Sequence, residues 1–276
     1  MSDTPIDLDA YQRRIGLDLG RAPPTLATLT RLIAHHAHAI PFENIEVMAG
    51  RVPALDPAAL QAKMLTQQRG GYCFEQNNLL RSVLLQLGYT VQRLEARVRA
   101  GVPADVETGR THMALRVTID GVDHLADVGF GGMAPVAPLQ LARRDEQPAS
   151  EGVYRLVEVD GELLMQARHH DGWADGYRIA AAAPHHVDYE IGNWYVATHA
   201  RSMLRQNLLV ARAVPGGRLT LFNRQLTLRR PETGAPIERT LATSAEIARV
   251  LADEFDLRID AADLAAVTRI IGARDA

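Results

Sequence analysis

The stretch Arg69-Gly-Gly-Tyr-Cys73-Phe-Glu-Gln-Asn77 concentrates the chemistry of this chain. Two glycines permit a sharp, close-packed turn. A cysteine follows at once, and Leu79, Leu80, Val83, Leu84 and Leu87 continue behind it at helical spacing, with Gly88 as the stop. A thiol at a helix N-terminus meets the positive end of the macrodipole and unpaired N–H groups, and both favour thiolate. The same N–H groups are placed to hold an oxyanion. A solitary cysteine is ordinarily a small buried hydrophobe. Here the Gly-Gly turn, the helix start and the polar Glu75, Gln76 and Asn77 favour a nucleophile instead.

A nucleophilic cysteine needs a base, and the base needs an orienting group. His112 stands at the start of a strand-like run, Arg110-Thr-His-Met-Ala-Leu115, and Asp127 ends the next one, Leu125-Ala-Asp-Val-Gly-Phe-Gly-Gly132. If Asp120–Gly121 is the turn of a hairpin between Met113–Ile119 and Val122–Val128, His112 and Asp127 come to adjacent strands near its open end. Cysteine, histidine and aspartate in that order fit a thiolate–imidazolium pair steadied by a carboxylate. Spacing alone leaves other partners open, because the chain has 10 histidines.

Counts narrow the chemistry further. With one cysteine, no disulfide within the chain is possible, nor any zinc site needing two thiolates. Lys63 is the single lysine, so a Schiff-base mechanism would have to use it. A net charge of −3 leaves no basic surplus for phosphate backbones, which argues against a nucleic-acid partner. No apolar run reaches the roughly 18 residues needed to span a bilayer, and the acidic start MSDTPIDLDAY does not read as a secretory signal. A lone free thiol suits the cytoplasm.

These residues must be held by something. The first third reads as helical: Leu26, Leu29, Leu32, Ile33 and Ala37 up to Pro41, a second helix from Pro57 to about Gln67, and a third from Cys73. After Gly88 the texture turns to β, with Val91–Arg99, the hairpin about Asp120–Gly121, and a further hairpin, Tyr154–Val159 and Glu162–Arg168, about Asp160–Gly161. Ala134–Ser150 reads as a long loop and Ala180–Pro184 as a break. The last third mixes strands at Leu219–Phe222 and Leu226–Arg229 with two terminal helices, the first from Ser244. The class is α+β: a helical bundle over 1–88, a β domain over 89–183, and an interdomain segment with a small α/β lid over 184–276.

Over nearly its whole length the chain resembles the arylamine N-acetyltransferases. The resemblance rests on Tyr11 with Arg14-Ile15-Gly16, Pro41-Phe-Glu-Asn44, Arg69 to Glu75 with Asn77, Thr111-His112, Asp127-Val-Gly-Phe-Gly131, and Asn193-Trp-Tyr195 with Thr198-His199. It implies Cys73 as the acetylated nucleophile, His112 as its base and Asp127 as the orienter, in the arrangement of transglutaminase-like and papain-like triads on a helical bundle, a β-barrel-like domain and a lid. It implies ping-pong transfer from acetyl-CoA, a co-substrate, to an aromatic amine, hydrazine or hydroxylamine, with no metal or prosthetic group. It implies Phe42, Val98 and Phe130 around the acyl and acceptor pocket, and Thr111 with the Gly129, Gly131 and Gly132 turn near the CoA entrance. With charge logic it implies a Glu43–Arg69 pair that braces the cysteine loop. One departure stands out. Where the family often has an aromatic wall, this chain reads Ser202-Met203-Leu204, so Leu204 replaces it.

Other features read as less informative. Gly129 to Ala134 matches a dinucleotide fingerprint, but Pro135 and Pro138 prevent the helix that must follow. His35, His36 and His38 lack a metal-site pattern, and the pairs His169–His170 and His185–His186 fall in expected loops. Arg143–Arg144 and Arg229–Arg230 are short basic spots, either of which could meet CoA phosphates. Tyr72 and Phe74 suit the core or a pocket wall. Rival functions with the same triad are a macrolactam-forming amide synthase, a cysteine hydrolase that admits water to the thioester, and a relative that only binds CoA.

Overall fold

A computed structural model describes residues 5–20, 22–169, 171–230 and 234–272. The fold is mixed α/β, with helices packed against two antiparallel sheets. The first third folds into four longer helical pieces, the last of which begins at Cys73. Leu8–Ile15 is capped by Asp7, whose carboxylate accepts from Ala10 N–H at 2.9 Å, and it stops at Gly16 in the left-handed region. Leu26–Ala39 starts on Thr25, and Pro41 follows its end. Pro57–Leu60 begins as an α-helix and widens to π turns over Gln61–Thr66. The carbonyls of Lys63 and Met64 in that segment bond outward, to Arg69 N–H and Arg14 Nε. The helix Cys73–Gln86 has Tyr72 as its N-cap residue.

The larger sheet has eight strands in the order Leu139–Gln140, Val122–Ala126, Arg110–Ile119, Thr90–Val98, Gly172–Ile179, Glu162–His169, Gly152–Val159 and Gln147–Ala149. It curls until its two edges meet. No ladder joins them, but Gln147 Oε1 accepts from Gln140 N–H at 2.7 Å and Gln147 Nε2 donates back to the Gln140 carbonyl at 3.2 Å. The result is a nearly closed barrel. Both Asp–Gly turns expected from sequence form, with positive φ at Asp120, Gly121, Asp160 and Gly161.

The smaller sheet orders Phe42–Glu43, Leu209–Val214, Gly217–Phe222, Gln225–Arg229 and Ile237–Thr240. Its edge strand comes from the first third of the chain. Phe42 opposes Ala211 and also bridges to Gly71, which stitches the nucleophile loop to this sheet. Apolar side chains form three clusters: one around the nucleophile helix, one inside the barrel, and one joining the smaller sheet to the helices Ser244–Asp253 and Ala261–Gly272. No helix among the described residues is long and apolar enough to cross a membrane.

Several elements differ from the sequence expectation. The 134–150 region is not a plain loop, because it supplies both barrel edges. The strand Gly172–Ile179 carries no clean sequence signal because its alternation is broken by Gly176 beside a register shift at Met165/Gln166. A Cβ at Gly176 would stand 2.6 Å from Met165 Cε. The helix His186–Thr198 has apolar residues on both faces. Tyr189, Val196 and Ala197 are buried while Val187, Ile191 and Trp194 are exposed, so no one-sided period marks it.

Candidate active site

Cys73, His112 and Asp127 meet where the helix Cys73–Gln86 packs on the barrel. All three are buried. The hairpin register pairs Leu115 with Ala126, so the residue after Ala126 falls level with Ala114, and His112 lies two residues further on the same face. That diagonal brings His112 Nε2 to 2.8 Å from Asp127 Oδ2. Asp127 engages one imidazole nitrogen only, and the Cys73 side chain adds to its effect in favouring the protonated ring. The Cys73 thiol also lies 3.8 Å from the Thr111 carbonyl, to which it donates.

Asp127 sits one residue beyond its strand and is held from its second oxygen. Asn77 Nδ2 and Gly129 N–H donate to Oδ1 at 2.9 and 2.8 Å. Asn77 Nδ2 also donates to the Met113 carbonyl at 2.7 Å, and Asn77 Oδ1 accepts from Val128 N–H at 3.2 Å. One amide therefore ties helix, both strands and carboxylate together. Its signal in sequence is the spacing of four from Cys73, which puts both on one helical face. Gly129 is where the turn touches the nucleophile: a Cβ there would stand 2.6 Å from Cys73 Cα.

The charges explain one another. Burial opposes the His112 imidazolium, but the Asp127 carboxylate and the Cys73 side chain outweigh it and raise the pKa to about 10. Burial likewise works against the Asp127 anion, and His112, Asn77 and Gly129 hold its carboxyl below the usual range nonetheless. Both nitrogens of a cationic imidazole are donors, so a protonated His112 can give one to the Asp127 carboxylate and keep the other for a sulfur that has lost its proton.

Phe130 rests edge-on against the His112 ring, with centroids 4.8 Å apart. Phe42 lies 3.7 Å from the position a Cβ on Gly131 would take. Val98 pairs with Tyr177 across the sheet. Leu204, on the short helix Met203–Gln206, is partly buried against the cluster that holds Phe42 and Cys73. Glu43 and Arg69 do pair: Arg69 Nη2 and Nε donate to Glu43 Oε1 at 3.0 and 3.2 Å. Asn44 of the same motif donates to the Leu204 and Asn207 carbonyls and accepts from Leu209 N–H at 2.8 Å, which fixes the segment that carries Leu204.

Tyr72 and Phe74 belong to the core and not to a pocket wall. The Tyr72 hydroxyl donates to Asn193 Oδ1, and Phe74 packs edge-on between Tyr72 and Tyr189. The Gly129–Ala134 segment forms only a 3-10 turn, Gly131–Met133. His36 is buried between the Tyr11 hydroxyl at 2.9 Å and Gln76 Oε1 at 2.6 Å. Sequence reasoning missed Tyr177. Its ring centroid lies 4.5 Å from that of His112 and 4.7 Å from that of Phe130, and burial together with Asp127 pushes its pKa far up. No pattern in its own strand announces it.

Comparisons with known proteins show the family. The N-acetyltransferase family model matches residues 25–264. The chain belongs to the arylamine N-acetyltransferase family. It is 37% identical to the arylamine N-acetyltransferase of Escherichia coli K12 over 259 residues, covering 93% of this chain and 90% of that one. It is 39% identical over 205 residues to the Salmonella typhimurium arylamine N-acetyltransferase / N-hydroxyarylamine O-acetyltransferase, covering 74% and 73%. Among solved structures, Mycobacterium marinum arylamine N-acetyltransferase in complex with CoA superposes with a TM-score of 0.87 at 35% identity, covering 97% of this chain and 98% of that one.

Proposed function

We propose that this protein moves an acetyl group from acetyl-CoA to an arylamine, arylhydrazine or arylhydroxylamine through a thioester on Cys73. The observation that carries the reading is the burial of Cys73, His112 and Asp127 together, with His112 2.8 Å from Asp127 and the Cys73 thiol at the carbonyl of Thr111, the residue before His112. In the first half-reaction His112 takes the thiol proton and the sulfur attacks the acetyl carbonyl. The carbon–sulfur bond to CoA breaks, and CoA leaves with the proton that His112 returns. In the second half the amine attacks the thioester, gives its proton to His112, and Cys73 departs as thiolate to be reprotonated. Asp127 holds the tautomer and balances the imidazolium throughout. The N–H groups opening the Cys73–Gln86 helix serve the oxyanion.

Phe42, Val98, Phe130 and Leu204 form the acceptor side in this reading. Thr111 and the bare backbone of Gly129 and Gly131 form the approach for the CoA thioester, where any side chain at Gly129 would collide with Cys73. The division into a bundle over 1–88, a barrel over 89–183 and a final part over 184–276 assigns nucleophile, base with orienter, and cover in turn. A mechanism that needs a reduced thiol suits the cytoplasm.

Incubation with acetyl-CoA and no amine, followed by intact mass, tests the reading. An acetyl adduct that disappears in Cys73→Ala is expected, with parallel double-reciprocal lines when acetyl-CoA is varied at several amine concentrations. Intersecting lines with no adduct would point to direct transfer in a ternary complex.

A further inference from the structure

Asp263 lies in the first turn of the last helix, Ala261–Gly272, and is 2% exposed. Packing fixes that helix without it, because Val267 and Ile271 share a core with Ile45, Met48 and Phe255. The Asp263 carboxylate faces two guanidinium groups. Arg51 Nη2 donates to Oδ1 and Oδ2 at 2.8 and 3.0 Å, and Arg69 Nη1 donates to Oδ2 at 3.3 Å.

Arg69 is the first residue of the nucleophile loop. Its other edge binds Glu43, whose Oε2 accepts from Ile45 N–H at 2.8 Å. The loop itself has no side chain between Arg69 and Tyr72. Gly70 is pressed so closely on Pro41 that a Cβ would stand 2.2 Å from its carbonyl oxygen. The loop's placement depends on backbone bonds to residues 41–43 and to the Lys63 carbonyl, on Gln76 Nε2, which donates to the Gly71 carbonyl at 3.2 Å, and on the Arg69 fork. A planar fork held by carboxylates on two edges is fixed in position, whereas one carboxylate leaves it a hinge. A second route starts from the same aspartate. Arg51 Nε lies 3.7 Å from Glu46 Oε1, Lys63 Nζ joins Glu46 to Glu75 at 2.5 and 2.6 Å, and Glu75 Oε2 accepts from Tyr72 N–H at 3.1 Å. The second route ends on the backbone of Tyr72, next to Cys73, and the first on Arg69, four residues before it.

We propose that Asp263 is a positioning residue for acyl transfer, which holds the Arg69 fork opposite Glu43 and thereby sets Cys73 against His112. This rests on Cys73 acting as the nucleophile. The cluster holds four carboxylates, Glu43, Glu46, Glu75 and Asp263, against the cations of Arg51, Lys63 and Arg69. Burial pushes the Glu75 carboxyl up to about 7, so the cluster is already close to balance and neutralising Asp263 shifts it by no more than one charge; Asp263→Asn should fold. The new amide's NH2 would face guanidinium donors and release one of them.

The test measures, in the full chain, the rate of Cys73 alkylation by iodoacetamide and the single-turnover rate of its acetylation by acetyl-CoA. In Asp263→Asn both should fall roughly tenfold, within what a misplacement under an ångström produces. The dissociation constant of the amine should stay unchanged and Asp263→Glu should restore most of the rate. Arg69→Lys should show the same loss, and the double variant little more than either single. Wild-type alkylation in Asp263→Asn, or losses that simply multiply in the double variant, would overturn the proposal whatever the melting temperature does. If the wild type forms no acetyl adduct while Asp263→Asn still slows alkylation, the thioester reading fails and the positioning role stands.

Discussion

Replacing Asp127 by Asn tests the centre of the mechanism. The new amide has an oxygen and an NH2 to place. Asn77 and the Gly129 N–H both donate to one side of the present carboxylate, so the oxygen belongs there. The NH2 then faces His112 Nε2, which must become an acceptor, and the ring proton moves to the nitrogen that serves Cys73. A base carrying its proton on that nitrogen does not accept the thiol's. The energetics agree in size. A His112 pKa of about 10, against 6.5 for a free imidazole, corresponds to about 5 kcal/mol in favour of the cation. The Cys73 side chain supplies part of that. Most of the remainder goes with the carboxylate, and wrong-tautomer triads lose roughly 10⁴ in kcat. We expect a loss of roughly 10³ to 10⁴ in acetyl transfer, followed as disappearance of free arylamine, with a cooperative unfolding transition retained. Stability supplies a second readout. Because the folded pKa lies above the unfolded one, the pair's contribution is full below pH 6.5 and fades as pH rises toward 10. The stability gap between wild type and Asp127→Asn should therefore narrow with rising pH. A variant that keeps a tenth of wild-type kcat would show that another group orients His112.

Gly129→Ala should cost at least a hundredfold in kcat, since its Cβ would lie 2.6 Å from Cys73 Cα and 2.8 Å from Asn77 Nδ2; near-normal turnover would mean that the turn yields where the packing says it does not. His36 is held neutral by burial, with a pKa of about 4 despite its bond to Gln76. The unfolded chain binds that proton near pH 6.5, so up to about 3 kcal/mol of stability is lost as pH falls from 6.5 to 4. Urea midpoints of His36→Gln should decline less steeply over that range, and parallel declines would assign the effect elsewhere. Leu204→Phe should raise KM for a fused-ring amine more than for a single-ring one and leave the rate of Cys73 acetylation unchanged; equal KM changes would remove Leu204 from the acceptor side.

Much of this site is legible in the amino-acid sequence, because its parts are local. A Gly-Gly turn into an amphipathic run dictates a thiol at a helix start, and an Asp–Gly turn between β-branched runs brings His112 and Asp127 to one end of a hairpin. Those signals lie within a few residues of the groups they position. What the sequence does not carry is pairing at a distance. Phe42–Glu43, two residues long, has no strand signature of its own, and it becomes one because Leu209–Val214 offers it an edge. Gly172–Ile179 and His186–Thr198 lack clean periods because each is buried or exposed according to neighbours far along the chain. Tyr177 reaches His112 only through the register of Val98, and Asp263 reaches Arg69 across 194 residues. Local spacing determines which side chains share a turn or a helical face. Only tertiary packing decides which buried charge finds a partner, since burying a charge is costly until a group of opposite sign, wherever it lies in the sequence, is folded against it.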